Sequence, residues 1–284
     1  VKPLSERELQ AGMRKSPHAR LISGGSDLML EVTQGFESIA SFIDVSMVRE
    51  LRLINETDNM IQIGSSATYS ELEHYFESRS KSFLSILKRL GSRQIRNVGT
   101  IGGNLGNGSP IADIPPILFA WDATLELVDS DGKRRSVPVC EFYNGYKETL
   151  LQDREYIANI RVPVQSINDF HRFYKVSKRL EDDISSVMGA FRFKVVGDEI
   201  SLARVAFGGM AATPVRALEI EKNLIGQRIT DELIKKVESQ ILEELEPISD
   251  VRASSSYRLE IAQAMLRRAL QELSGQERLV ITEL

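Results

Sequence analysis

The spacing of apolar residues changes several times along the chain, and each change predicts an element. Leu21-Ile22 ahead of Ser23-Gly24-Gly25-Ser26-Asp27 reads as a short buried strand entering a tight turn, after which Leu28-Met29-Leu30 opens a helix. A polar, helix-prone stretch over residues 1–20 precedes it, and residues 39–45 form the next strand. Residues 51–54 and 60–63 flank the polar connector Asn55-Glu56-Thr57-Asp58-Asn59, which predicts a hairpin. Thr68 followed by Glu71 is a capping box for a helix carrying Leu72, Tyr75 and Phe76. Phe83, Ile86, Leu87 and Leu90 then recur at helical spacing until Gly91 interrupts them.

Downstream, residues 114–121 read as a helix started by prolines, with Trp121 in the core. Residues 124–128 and 135–139 pair across Asp131-Gly132, and residues 156–162 form a strand closed by Pro163. The pattern shifts at residues 163–169, which predicts a boundary between a domain over 1–165 and another over 166–284. Beyond it lie strands over 170–176, 187–196 and 199–207, then three helices. The first has Thr213 as N-cap and Pro214 at its first position. The second, over 230–245, carries Leu233, Val237, Ile241 and Leu245, and the third, over 254–273, places Tyr257, Ile261, Met265, Leu270 and Leu273 on one face.

Composition narrows the classes. The 284 residues, 42% apolar and 27% charged, suit a folded chain of two domains at roughly 150 residues each. With 36 basic against 40 acidic residues the net charge is −4, which argues against nucleic acid as a partner. No apolar run reaches the length of about 18 residues that suggests a spanning helix. Cys140 is the single cysteine, so this chain holds neither an internal disulfide nor an iron–sulfur cluster. His18, His74 and His171 lack metal-ligand spacing, and no metal is expected. Cysteine usage favours a reducing, cytoplasmic setting, and the opening Val1 favours a piece of a longer polypeptide.

The candidate chemistry lies in residues 97–113, where Gly99, Gly102, Gly103, Gly106 and Gly108 alternate with hydroxyl and amide side chains ahead of Asp113. Each interior glycine costs a helix about 1 kcal/mol relative to alanine, so a ligand-wrapping loop is expected. Without Cβ atoms its backbone can approach a phosphate and point N–H groups inward. The Gly24-Gly25 turn supplies a second such element, with helix N-terminal N–H groups after it. Neither stretch is a P-loop, and the Rossmann spacing fails because Ile111 stands at the third glycine position. No nucleophile elbow or H-E-x-x-H motif occurs. Residue chemistry alone therefore points to a phosphate-bearing ligand, such as a dinucleotide, held from two sides.

The order of these motifs resembles a known family. Ile22-Ser23-Gly24-Gly25-Ser26-Asp27-Leu28, residues 97–104, Ser109-Pro110-Ile111-Ala112-Asp113, residues 145–151 and residues 174–184 together resemble the FAD-binding domain of the molybdenum hydroxylases, with the xanthine dehydrogenase branch nearest. The resemblance implies an α+β fold: a two-subdomain FAD-binding domain of the vanillyl-alcohol oxidase type, then a C-terminal domain with a small antiparallel sheet and helices. It implies FAD held by Leu21, Ile22, Ser23, Gly24, Gly25, Ser26, Asp27 and Leu28 together with Gly99, Thr100, Gly103, Asn104, Gly106 and Asn107. Asp113 would accept a ribitol or ribose hydroxyl, while Leu90 and Ile157 would flank ring systems. Lys175, as the flavin-tuning catalytic group, and Asp182 would lie near the isoalloxazine edge, with Arg179 and Ile184 affecting NAD access. Iron–sulfur clusters and molybdopterin would sit on partner subunits or missing domains of a hetero-oligomer, and NAD would take the electrons. Two other classes stay open: a self-contained flavin reductase of the enolpyruvyl-sugar reductase fold, and a non-catalytic dinucleotide-binding module.

Overall fold

A computed structural model of the chain describes residues 1–275, so the last nine positions of the 166–284 region lie outside the described residues. Helix α1 (Glu6–Lys15) starts where the Ser5 side chain accepts from the Glu8 N–H, and it buries Leu9 and Met13. Strands β1 (Arg20–Ile22) and β2 (Phe42–Asp44) form a parallel pair, separated in sequence by helix α2 (Leu28–Thr33), none of whose residues is buried. Leu9, Met13, Ile43, Val45 and Val48 pack on Val128, Tyr156 and Ala158 of a larger sheet.

That sheet begins with the hairpin β3 (Ile54–Thr57) and β4 (Met60–Gly64). The polar connector is shorter than expected, since Asn55, Glu56 and Thr57 belong to β3 and the turn is Asp58-Asn59, with φ of 53° and 60°. Strand β3 is an exposed edge strand, so its polar side chains remain in water. Helices α3 (Tyr69–Phe76), α4 (Lys81–Leu87) and α5 (Arg93–Val98) follow, capped by Thr68, Ser80 and Ser92, with the Thr68–Glu71 capping box formed as predicted.

The glycine-rich stretch departs from its prediction, because residues Ile101–Gly106 form a helix, α6. Thr100 caps it by accepting from the Gly103 N–H, and Ile101 and Leu105 are fully buried. Gly102 packs so tightly that a Cβ there would come within 2.6 Å of the Ser65 carbonyl oxygen. Burial and the cap offset the roughly 1 kcal/mol propensity cost of each glycine.

Helix α7 (Ile114–Ala120) has Pro115 and Pro116 in its first turn and is buried along its length. Strands β5 (Thr124–Asp129) and β6 (Arg134–Pro138), the small hairpin β7 (Tyr143–Gly145) and β8 (Glu148–Thr149), and the long β9 (Glu155–Pro163) follow. The large sheet has the order β3-β4-β9-β5-β6 and is antiparallel throughout.

A short helix α8 (Val164–Asn168) leads into β10 (Phe170–Val176), β11 (Val187–Val196) and β12 (Glu199–Gly208), with β13 (Val215–Arg216) at the far edge of this second antiparallel sheet. The helix expected from Pro214 instead begins later, as α9 (Leu218–Leu224). Val215 and Arg216 pair with Phe207 and Ala206, and a proline ahead of an edge strand leaves no required donor missing. Helices α10 (Asp231–Glu244) and α11 (Ser255–Leu273) are the last elements of the described residues, with Thr230 and Ser254 as N-caps. No helix among the described residues is long and apolar enough to cross a membrane.

The two sheets are joined through α7, which packs against β11 and β12. Trp121, fully buried, stacks on Phe76 at 5.7 Å and meets Phe83, Phe173 and His171 edge-on. Polar pins cross the same seam. Ser80 Oγ lies 2.7 Å from His171 Nε2, and Ser82 Oγ accepts from the Phe173 N–H. Arg192 donates to Asp169 and Asp122.

Candidate functional site

The two glycine-rich segments meet. A Cβ on Gly24 would lie 1.7 Å from the Val98 carbonyl oxygen and 3.0 Å from the Gly99 nitrogen, so only glycine permits the turn after β1 to lie against the end of α5. Gly99 is itself confined, since its Cβ would meet the Tyr69 ring at 2.9 Å, and its carbonyl accepts from the Tyr69 N–H. Gly25 adopts φ of 67°, which turns the chain toward α2. Ser23 Oγ donates to Ser66 Oγ at 3.3 Å, tying this turn to the segment that also supports α6.

Their hydrogen-bonding capacity differs sharply. In the second segment, Gly99 donates to Ile95, Ile101 to Ala67, Gly102 to Ser65 and Gly103 to Thr100, so these N–H groups face the protein. The expectation that they point at a phosphate is corrected accordingly. In the first segment, no described group accepts from the N–H groups of residues 23–28. A run of donors without protein acceptors, with Gly25 in the left-handed region, has the backbone character that an anion nest requires. On α6, Gly103 and Gly106 are exposed, a Cβ on Gly106 would touch nothing within 4 Å, and Asn104 Oδ1 is buried without a partner. These features suit a diphosphate with attached sugars, so the residues present fit FAD.

Beyond the glycines lies an ion pair. Lys175 Nζ, on β10, is 2.7 Å from Asp113 Oδ2 ahead of α7, and both side chains are almost wholly buried. Ser185 Oγ donates to Asp113 Oδ1, and Lys175 Nζ also donates to the Arg89 carbonyl at 3.4 Å. The Arg89 guanidinium reaches back to the Lys175 and Leu180 carbonyls and to Ser177 Oγ. Burial lowers the Arg89 pKa from its usual value while Asp113 pulls it upward. The lysine Nζ is therefore fixed between two acceptors, which use two of its three N–H donors.

Leu90 is half-buried and packs on the apolar cluster that contains Ile157 and Leu105. Leu21 and Ile22 lie on β1, Leu28 opens α2, and Asn107 ends α6. Asp182 stands apart from the Lys175 ammonium, exposed on the turn after β10 with φ of 50°. In that turn Arg179 pairs with Asp183, and Ile184 is 49% exposed. Sequence reasoning missed Arg89, Ser185, Ser65 and Ser66. Arg89 immediately precedes Leu90 and Ser185 follows Ile184, but only the fold brings either to Asp113.

The chain as a whole is similar to known proteins. A family model described as the FAD binding domain in molybdopterin dehydrogenase matches residues 1–165, and one described as the CO dehydrogenase flavoprotein C-terminal domain matches residues 172–273. The glyceraldehyde dehydrogenase medium chain of Sulfolobus acidocaldarius is 30% identical over 276 residues, covering 96% of this chain and 97% of that one. The xanthine dehydrogenase FAD-binding subunit of Escherichia coli O157:H7 is 27% identical, with 90% and 89% covered. Against xanthine dehydrogenase of Emericella nidulans, 31% identical over 81% of this chain, the match spans 18% of that longer protein. A solved carbon monoxide dehydrogenase from Hydrogenophaga pseudoflava, lacking the Mo-pyranopterin moiety, superposes with a TM-score of 0.88 at 29% identity, covering 95% of this chain and 94% of that one.

Proposed function

Because this chain belongs to the family of FAD-binding domains of molybdopterin dehydrogenases, we propose that it is the flavin-bearing electron-transfer component of a xanthine dehydrogenase-type enzyme. The relatives are oxidoreductase components, and this chain works as part of such a larger assembly. In the proposed enzyme a purine is oxidised at a molybdopterin centre, iron–sulfur clusters on a partner domain or subunit relay the electrons, and NAD accepts them. The proposed setting is the cytoplasm. Residues 1–165 would form the cofactor-binding domain and residues 166–284 the domain that closes its flavin end.

The free N–H groups of residues 23–28, set against the Gly99–Thr100 segment, carry the reading. They would hold the diphosphate, with Gly103, Asn104, Gly106 and Asn107 along the opposite side. Leu90 and Ile157 would supply apolar walls. FAD, once bound, supplies the one- and two-electron redox chemistry, and the protein supplies orientation and electrostatics. Asp113 fixes the Lys175 ammonium, and a preorganised cation stabilises negative charge developing beside it. Asp182, Arg179 and Ile184, on the exposed turn, would border the path of the electron acceptor.

Purified protein should show flavin absorption, or acquire it on mixing with FAD. Colourless protein that ignores FAD would overturn the reading. In the assembled enzyme, xanthine-dependent reduction of NAD tests substrate and acceptor together, and reduction of the flavin by another substrate would replace the purine assignment.

A further inference from the structure

Arg258, on α11, is 1% exposed and carries no role in the site described above. Its Nη1 donates to the Ser186 and Gly209 carbonyls, and its Nη2 to Asp250 Oδ1 at 2.7 Å. These two carbonyls lie where β11 begins and where β12 has just ended. Ser185, one residue before the first, donates to Asp113, while the Gly209 N–H donates to the Pro110 carbonyl at 2.9 Å. One guanidinium thus joins the two strand ends that hold residues 110–113. The fit is close, because a Cβ on Gly209 would meet Ser186 O at 2.7 Å and Arg258 Nη1 at 2.8 Å.

Asp250 is held in turn by the N–H groups of Arg252 and Ala253. The next residue, Val251, accepts at its carbonyl from Lys178 Nζ, so the same segment also steadies the turn that carries Asp182. Burial opposes ionisation of Asp250, yet these N–H groups and Arg258 bring its pKa down to about 2. The Asp250 carboxylate therefore stays charged throughout the neutral range.

We propose that Arg258, oriented by Asp250, is a positioning residue for the flavin site: it fixes Ser186 and Gly209, through them Ser185 and Pro110, and so the placement of Asp113 and the Lys175 ammonium. The inference rests on the FAD reading above. Losing the guanidinium leaves two buried carbonyls without a donor and frees Ser185 to move away from Asp113.

The test compares the full chain with its Arg258→Met, Asp250→Asn, Ser185→Ala and Arg258→Met/Ser185→Ala variants, each titrated with FAD and examined for flavin midpoint potential, visible spectrum and thermal unfolding. Arg258→Met and Asp250→Asn should weaken FAD binding roughly tenfold and shift the midpoint potential, and adding Ser185→Ala to Arg258→Met should change little more, as coupled sites require. A lower unfolding temperature with wild-type affinity, spectrum and potential would overturn the positioning role, as would additive losses in the double variant. Should Arg258→Met fail to fold, Asp250→Asn decides by the same readouts. Wild-type protein that takes up no FAD would overturn the FAD reading itself, and this inference with it.

Discussion

Gly24 and Val98 touch backbone to backbone, and that contact aligns two segments that are 74 positions apart in the sequence. Replacing Gly24 with alanine places a methyl where the Val98 carbonyl stands, and backbone cannot yield as a flexible side chain does. Gly24→Ala is expected to cost about 1–3 kcal/mol and to sharply reduce FAD uptake. Flavin absorbance per mole of protein, measured beside a urea titration, checks both effects. Gly12→Ala is the control, because in α1 the added methyl meets only Ile43 Cδ1, at an ordinary 3.8 Å.

The Asp113–Lys175 pair is dry, so each single change strands a charge. Asp113→Asn should destabilise the fold by about 3–5 kcal/mol, and Lys175→Met by a similar amount. The Asp113→Asn/Lys175→Met double variant should lose much less than the sum of the two. Chemical denaturation of the four proteins measures the coupling. Lys175→Met should also slow flavin reduction by substrate in the assembled enzyme, read by stopped flow.

His171 is buried beside Ser80, and desolvation pushes its pKa down to about 4 despite the opposing Asp169 carbonyl. The unfolded chain therefore binds a proton near pH 6.5 that the folded chain refuses until about pH 4. Stability should fall as pH drops through that window, by roughly 3 kcal/mol in all, and change little from this group above pH 7. His171→Gln should flatten the corresponding part of a stability–pH curve. Asp250, with its pKa near 2, contributes its own loss only at lower pH.

Thr100 both caps α6 and borders the proposed cofactor. Thr100→Ala should cost about 1 kcal/mol, whereas Thr100→Ser should retain the cap. Thermal melts of the two variants, with and without FAD, separate the helix effect from any contact with the ligand.

Local chemistry made much of this molecule readable in advance. Thr68 with Glu71, Asp131-Gly132, and Thr230 ahead of a four-residue apolar repeat act through neighbours a few positions away, and each element formed. Where long-range packing competed with local preference, packing decided. Ser65 and the buried Ile101 and Leu105 hold a glycine-rich stretch as helix, and pairing with β12 delays the start of α9 past Pro214. The motif resemblance named Asp113 and Lys175 as separate ligands. Their union depends on β10 passing beside the start of α7, and no local periodicity encodes that. Arg258 was invisible for the same reason, since in sequence it is one more polar residue on an amphipathic helix.

Helix α2 buries no residue, whereas α6 buries Ile101, Gly102 and Leu105. The first glycine turn with α2 and the second glycine segment in α6 therefore open at different free energies. Amides around α2 should exchange with solvent through small local fluctuations, and those of α6 only when the core loosens. In the proposed site, α6 is already held by the core, so FAD binding is expected to order the first turn, read as slower amide exchange over residues 23–33 once FAD is added.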